Sequence, residues 1–395
     1  MIKMNNKGFA VSTILYGILS LIIIILTLIF SVMKTSKDMN SGLVESLTDS
    51  MNKCAQEEAN LEICYLDGCS NFQKRVDEYY GCIGSTGIIP PPPIPNDLGD
   101  VGNEIFDENE VSYDTGINFD EPSSDTNGNG LYYTNETTED NKGIYYFRGN
   151  VENNYVKFAN ILWRIIRINE DGSVRLITQD SVGTSKYNNN GNDNAYVGYM
   201  YGTPGSSTYA LTHANTNPST MKTFLETWYE DTLLDYYDDK ISYYAEFCVD
   251  RRKDDSHLGY GQNTTYYAFI VEGLQFSCSN PERDLFTTSV STVGNKKLNY
   301  PVGLITSTEV IYAGVTDEIN ETVYLANGTN FWTMTPSYFE GKAYLAAVRG
   351  NGQGGSYSAS GSIGVRPVIE LKKDVKLQHS ECSQVGTEAC PYIIE

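Results

Sequence analysis

From Phe9 to Met33 the chain carries no charged side chain, FAVSTILYGILSLIIIILTLIFSVM. No other feature restricts the fold as severely, because a helix needs only roughly 20 apolar residues to cross a bilayer. In hydrocarbon such a segment must satisfy its own backbone N–H and C=O groups, which an α-helix does. A cleaved secretory peptide has a shorter apolar core, about 7–15 residues, followed by small residues. Here the run is too long, and its exit, MKTSKDMN, offers no such cleavage site. The expectation is a transmembrane signal-anchor over 9–33 behind a basic leader over 1–8. Lys3 and Lys7 ahead of it nearly balance Lys34 and Lys37 behind it, so flanking charge does not orient the span.

The cysteines orient it. There are eight, Cys54, Cys64, Cys69, Cys82, Cys248, Cys278, Cys382 and Cys390, with no C-x-x-C pair to suggest zinc or thioredoxin-like chemistry. An even number in local pairs, beyond a membrane segment, points to disulfides formed outside the cytosol. Cys248–Cys278 and Cys382–Cys390 are the expected bonds, while the first four cysteines leave three pairings open. The amino terminus is then inside, and the bulk of the chain is extracellular on a single-pass cell-membrane protein. With 28 basic and 50 acidic residues the formal net charge is −22, which argues against nucleic acid and anionic lipid headgroups as partners. Thirty tyrosines suit either strands or a binding surface, since tyrosine supplies contact area and a polar tip at low entropic cost.

Along the chain, Leu43, Leu47 and Met51 keep helical spacing, so a stalk is expected over 34–60. A cysteine-bearing segment over 61–82 and a linker over 83–129 follow. Pro90 to Pro93 make that linker semi-rigid, and its acidic second half, low in apolar residues, is expected to be loose. The folded domain is expected over 130–395. IYYFRGNV (144–151) reads as a strand, and FANILWRIIRI (158–168) and SVRLITQD (173–180) form a hairpin across an Asp-Gly turn. In NPSTMKTFLETWYEDTLLDYY (217–237), Asn217 is a cap, Pro218 suits the first turn, and Met221, Phe224, Leu225 and Trp228 form one helical face. Thr306 and Glu309 form a capping box for a second, short helix through Ile311. FWTMTPS, AYLAAVRG and GVRPVIELK return to strands. Few helices among many short strands give an α+β class.

Three resemblances add to this. Lys7-Gly8-Phe9 ahead of a long apolar helix looks like a type IV prepilin signal, which would place leader cleavage between Gly8 and Phe9. The family's Glu at the fifth mature position is replaced by Thr13, which weakens the filament reading that the resemblance implies. KGFAVSTILYGIL, with the blocks YYFRGNVENNYVKFANILWRIIRINEDGSVRLI, AYVGYMYGTPGSSTYALTHANTN, FWTMTPSYF and GVRPVIELKKDV, resembles a family of uncharacterised, membrane-anchored surface proteins of gut Bacillota. The closing segment is also similar to the end of the C-type-lectin-like fold, which serves formylglycine-generating enzymes and the variable ligand-binding proteins of diversity-generating retroelements. That resemblance implies a mixed domain of short antiparallel strands with two helices. Its binding face would be built from the segment before the last strand: Trp332, Tyr338, Tyr344, Arg349, Asn351, Gln353, Tyr357 and Ser358. Arg366 is expected to be structural.

The resulting expectation is a non-catalytic surface binding or adhesion protein whose ligand is an extracellular glycan or protein. The alternative is a pilin-like subunit that self-associates through its amino-terminal helix. An enzyme of formylglycine-generating type would need a reactive cysteine pair in its cleft, and none lies between Trp332 and Lys373. His213, His257 and His379 are scattered. No cofactor is expected, with calcium as the one exception considered. DTNGNGLYYTNE offers Asp125, Asn127, Asn129 and Glu136 in EF-hand order around Gly130, yet without flanking helices.

Overall fold

The computed structural model describes residues 97–114, 117–123, 130–139, 143–249, 251, 253–254, 259–260, 274–378, 382 and 384–395. All of them belong to one unit, Pro91–Glu395. The expected membrane helix, stalk, Gly8–Phe9 junction and first four cysteines lie outside the described residues. Among the described residues no helix is long and apolar enough to cross a membrane.

The unit is mixed α+β, mostly sheet with few helices. Its larger sheet is opened by β1 (Ser112–Tyr113), β2 (Leu131–Thr137), β3 (Gly143–Phe147), β4 (Tyr155–Phe158), β5 (Ile161–Asn169) and β6 (Val174–Thr178). The long, apolar β5 is the axis. β6 pairs along one edge, and β3 and β4 share the other end to end. The run read as one strand from 158 in fact contains a turn, because Ala159 and Asn160 take φ of 54° and 59°. Two consecutive left-handed residues are what a tight two-residue hairpin needs. The next hairpin turns where the Asp-Gly pair predicts. There the Asn169 N–H donates to the Ser173 carbonyl, and the Gly172 N–H donates to that of Asn169. Gly172 has φ +85°, and a Cβ there would lie 2.6 Å from the Leu98 carbonyl oxygen, so glycine alone fits.

The smaller sheet starts at β7 (Gly183–Lys186). Three two-residue ladders intervene: β8 (Met200–Tyr201) with β9 (Asn217–Pro218), β10 (Phe247–Cys248) with β13 (Leu285–Phe286), and β11 (Lys253–Asp254) with β12 (Gly259–Tyr260). β14 (Phe331–Phe339), β15 (Ala343–Val348), β16 (Gly354–Ser358) and β17 (Ser362–Val365) then complete the order β16-β15-β14-β17-β7. GVRPVIELK does not form one strand. It leaves the smaller sheet at Val365 and enters the larger one as β18 (Val368–Leu371), antiparallel to β6. Pro367 has no N–H to continue a ladder. Arg366 at the crossing is buried, as expected of a structural arginine, and donates from Nε to the Thr178 carbonyl and from Nη1 to that of Leu325. Burial, reinforced by Arg164, lowers its pKa to about 9. β19 (Tyr392–Ile393) closes the larger sheet, parallel to β4.

Part of the acidic stretch expected to be a loose linker, beginning at Asp97, forms regular structure. Leu98, Val101 and Ile105 bury one stripe of α1 (Gly99–Glu108) in the core, and β1 follows, so the domain begins earlier than residue 130. A short α2 (Tyr209–Thr212) precedes α3 (Thr220–Tyr229), which continues through a wider turn at Glu230–Leu234 to Tyr237. Asn217 does not cap α3. It lies in β9, and Ser219 is the cap, its side chain accepting from the Lys222 N–H at 3.0 Å. After α4 (Pro281–Asp284), α5 (Ser307–Tyr312) carries the predicted capping box, with Thr306 and Glu309 bonded reciprocally. Both expected disulfides are formed, with Cα separations of 5.5 Å for Cys248–Cys278 and 6.4 Å for Cys382–Cys390.

Candidate functional site

Helix α3 and its continuation have two stripes. Met221, Leu225, Tyr229 and Leu233 recur every four residues and are fully buried. The neighbouring stripe holds Thr220, Thr223, Phe224, Thr227, Trp228 and Asp231, all exposed or half-buried. Phe224 and Trp228, read from spacing as core, therefore sit at the edge of the core. They form one wall of a groove of about 880 Å³ that runs between α3 and the segment after β7. This volume is within the roughly 300–1,000 Å³ range of small-molecule clefts.

Ser185 of β7, the segment Asn188, Asn189 and Asn190, and Tyr196, Tyr201 and Pro218 complete its lining. The asparagine segment is pinned from both sides. The Asn188 N–H donates to the Ala359 carbonyl at 2.9 Å, and the Ala343 N–H donates to the Gly191 carbonyl at 2.8 Å. The Asn188 side chain donates to the Tyr196 carbonyl at 2.9 Å, and Tyr196 meets Tyr201 edge-on at 5.2 Å. The Met221 N–H donates to the Tyr187 carbonyl at 3.0 Å, joining α3 to the same segment. Trp228 rests edge-on against the buried Trp163, ring centroids 6.2 Å apart, which fixes the ring that lines the groove. Among the lining side chains Asp231 is the single carboxylate, and there is no cation. Such a lining offers amide and hydroxyl donors and acceptors together with aromatic faces.

The residues assigned to the binding face separate into distinct places. Trp332 is fully buried, so it supports rather than touches a ligand. Its indole N–H donates to the Ser185 carbonyl at 2.9 Å, and its ring meets Tyr187 and Tyr357 edge-on. Tyr357 is half-buried, and its hydroxyl accepts from Asn330 at 2.7 Å. Tyr338, Tyr344 and Ser358 line up as cross-strand partners on β14, β15 and β16, with the two tyrosine rings stacked at 4.6 Å. Arg349, Asn351 and Gln353 lie at the other end, in the β15–β16 turn. There the Arg349 N–H donates to the Gln353 carbonyl at 2.8 Å, and the Gln353 side chain donates to the Asp317 carbonyl at 2.6 Å. Five residue steps of extended strand, about 17 Å, separate Tyr344 from Arg349. The tyrosine end is the one that the Ala343–Gly191 bond joins to the asparagine segment of the groove.

The calcium expectation falls mainly on Asp125, Asn127 and Asn129, which lie outside the described residues. Glu136 lies in β2 rather than at the start of an exiting helix. Burial, then the nearby Asp114 carboxylate, raises its pKa.

Two charged clusters hold the frame. Arg175 Nε lies 2.5 Å from Glu309, and Arg167 Nε lies 3.3 Å from the same oxygen. Burial opposes the Glu309 charge, yet Arg175 and Arg167 outweigh it and keep the carboxyl below the usual range. Arg251 pairs with Asp284 at 2.5 Å and donates to the Asn215 side chain at 2.8 Å. No protein-family model, curated protein or solved structure matches this chain.

Proposed function

We propose that the chain is a cell-surface protein, anchored by the apolar helix over 9–33, whose extracellular domain binds a ligand without transforming it. The observation that carries this reading is the open groove beside α3, walled by polar and aromatic side chains with one carboxylate, Asp231, on elements that are themselves pinned to both sheets. Rigid placement of such side chains lowers the entropy lost on binding, which is what a recognition surface needs. The two bonded cysteine pairs support an extracytosolic setting. The finer fold assignment, C-type-lectin-like, belongs to this reading. It is supported by the path of the chain, which leaves the larger sheet after β6, builds the smaller sheet and returns as β18 beside β6. The binding face then extends from the Tyr338–Tyr344 end of the smaller sheet into the groove.

Protease treatment of intact cells that express the full chain is expected to release the domain. Liposomes bearing the purified full-length chain are expected to adhere saturably to bacterial or epithelial cells, in competition with free chain. A domain cut only after cell lysis, or liposomes that adhere no better than empty ones, would overturn the proposal.

A further inference from the structure

The groove is selective in what it lacks. Among its lining residues there is no lysine, arginine or histidine, and Asp231 is the sole charged side chain. The whole chain carries a formal net charge of −22. An anionic ligand would meet no cation here and one carboxylate, a like-charge contact that costs affinity. A cationic ligand would find a single exposed carboxylate, which in water is worth little. A peptide that binds by strand addition needs an open ladder edge. β7 is the last strand of the smaller sheet, but α3 lies against it, the Phe224 ring 3.4 Å from where a Cβ on Gly183 would sit.

What the groove provides fits another chemistry. Two aromatic pairs, Phe224 with Trp228 on α3 and Tyr196 with Tyr201, line it together with Asn188, Asn189 and Asn190. Asn189 and Asn190 are exposed, as are Thr223 and Thr227. A pyranose has one flat C–H face and a rim of hydroxyls. It buries the former against an aromatic ring and bonds the latter to amides and hydroxyls. A volume of about 880 Å³ with aromatic rings from two parts of the chain suits several linked sugars better than one. Resting on the binding reading above, we infer that the α3 groove is a calcium-independent binding site for a neutral oligosaccharide. Trp228 and Tyr196 are its stacking platforms, and Asn189 is a hydrogen-bonding group.

The placement of the tryptophans allows a direct test. Of the chain's three, Trp163 and Trp332 are fully buried and Trp228 is half-buried in the groove, so quenchable tryptophan emission reports on Trp228. Full-length chain in a zwitterionic, sugar-free detergent is titrated with neutral hexasaccharides of glucose, mannose, xylose and N-acetylglucosamine. Uronic-acid hexasaccharides and a mixed decapeptide pool run in parallel. At least one neutral sugar is expected to protect the emission from acrylamide saturably, with or without EDTA. Calorimetry of Asn189→Ala, an exposed substitution that leaves the core intact, is expected to show about tenfold weaker binding, as is Tyr196→Ala. No neutral sugar effect up to ~10 mM, loss of the effect in EDTA, unchanged affinity in both variants, or tighter binding of the uronic acids or peptides would overturn the inference. Liposome adherence that persists while every sugar fails removes the ligand class alone, and absent adherence removes the binding reading itself.

Discussion

His213 is buried beside Tyr209, ring centroids 4.6 Å apart, with Arg251 and Arg283 as the charged groups closest in effect. Burial first, then those two cations, lowers its pKa to about 2 from 6.5. A folded-state pKa below the unfolded one means that the unfolded chain takes up the proton first. The stability from neutral His213 is therefore complete above about pH 6.5 and is lost progressively as pH falls towards 2. Thermal melts are expected to show Tm falling faster with acid in the natural chain than in His213→Gln, and parallel pH profiles would refute this. Residue spacing carries no sign of it, since His213, His257 and His379 look alike along the chain. Glu309 makes the same point from the other side. Its role in the T-x-x-E box was legible because a cap involves residues three apart. Its ion pairs with Arg167 and Arg175 join positions from opposite halves of the domain, which no local pattern encodes.

Among the elements, α3 separates what periodicity can tell from what it cannot. Apolar spacing located the helix, but the i, i+3, i+4, i+7 set Met221, Phe224, Leu225 and Trp228 is as apolar as the buried i, i+4, i+8, i+12 set Met221, Leu225, Tyr229 and Leu233. Aromatic residues read as core from sequence because burial is their commonest fate, and only the position of the asparagine segment leaves Phe224 and Trp228 facing an opening. A second stripe of Thr220, Thr223 and Thr227 at near-helical spacing was the available signal for a functional face. The local cysteine pairs were legible for a different reason: short separations make bond formation entropically cheap. Loop length also ranks them. Cys248–Cys278 spans 30 residues and Cys382–Cys390 spans 8. Chain entropy puts their losses at about 3.5 and about 2.5 kcal/mol. Double alanine replacement is expected to lower stability in that order in chemical denaturation, and the reverse order would contradict the entropic account.

For the whole molecule, the proposed function leaves a choice between a solitary anchor and a filament subunit, which the amino terminus of the native chain tests. Mass spectrometry of the native chain is expected to find the Met1 leader retained, in keeping with Thr13 where a pilin carries glutamate. A mature chain that begins at Phe9 would instead support prepilin processing. The class of the protein was a matter of composition and one-dimensional pattern. The uncharged run from Phe9 to Met33, the acidic excess, the cysteine pairs and the alternating strand sequence each act locally or by simple summation, so the sequence alone determined a mixed, sheet-rich domain with those two disulfides. The groove was not of that kind. Residues of β7, the asparagine segment, β9 and α3 meet there because α3 packs beside the smaller sheet, whose β14 to β17 come from much later in the chain. Only tertiary structure decided that Trp228 faces an opening while Trp332 is sealed beneath it, because burial is set by what packs on a side chain from elsewhere, and the side chain's own chemistry is the same in either place.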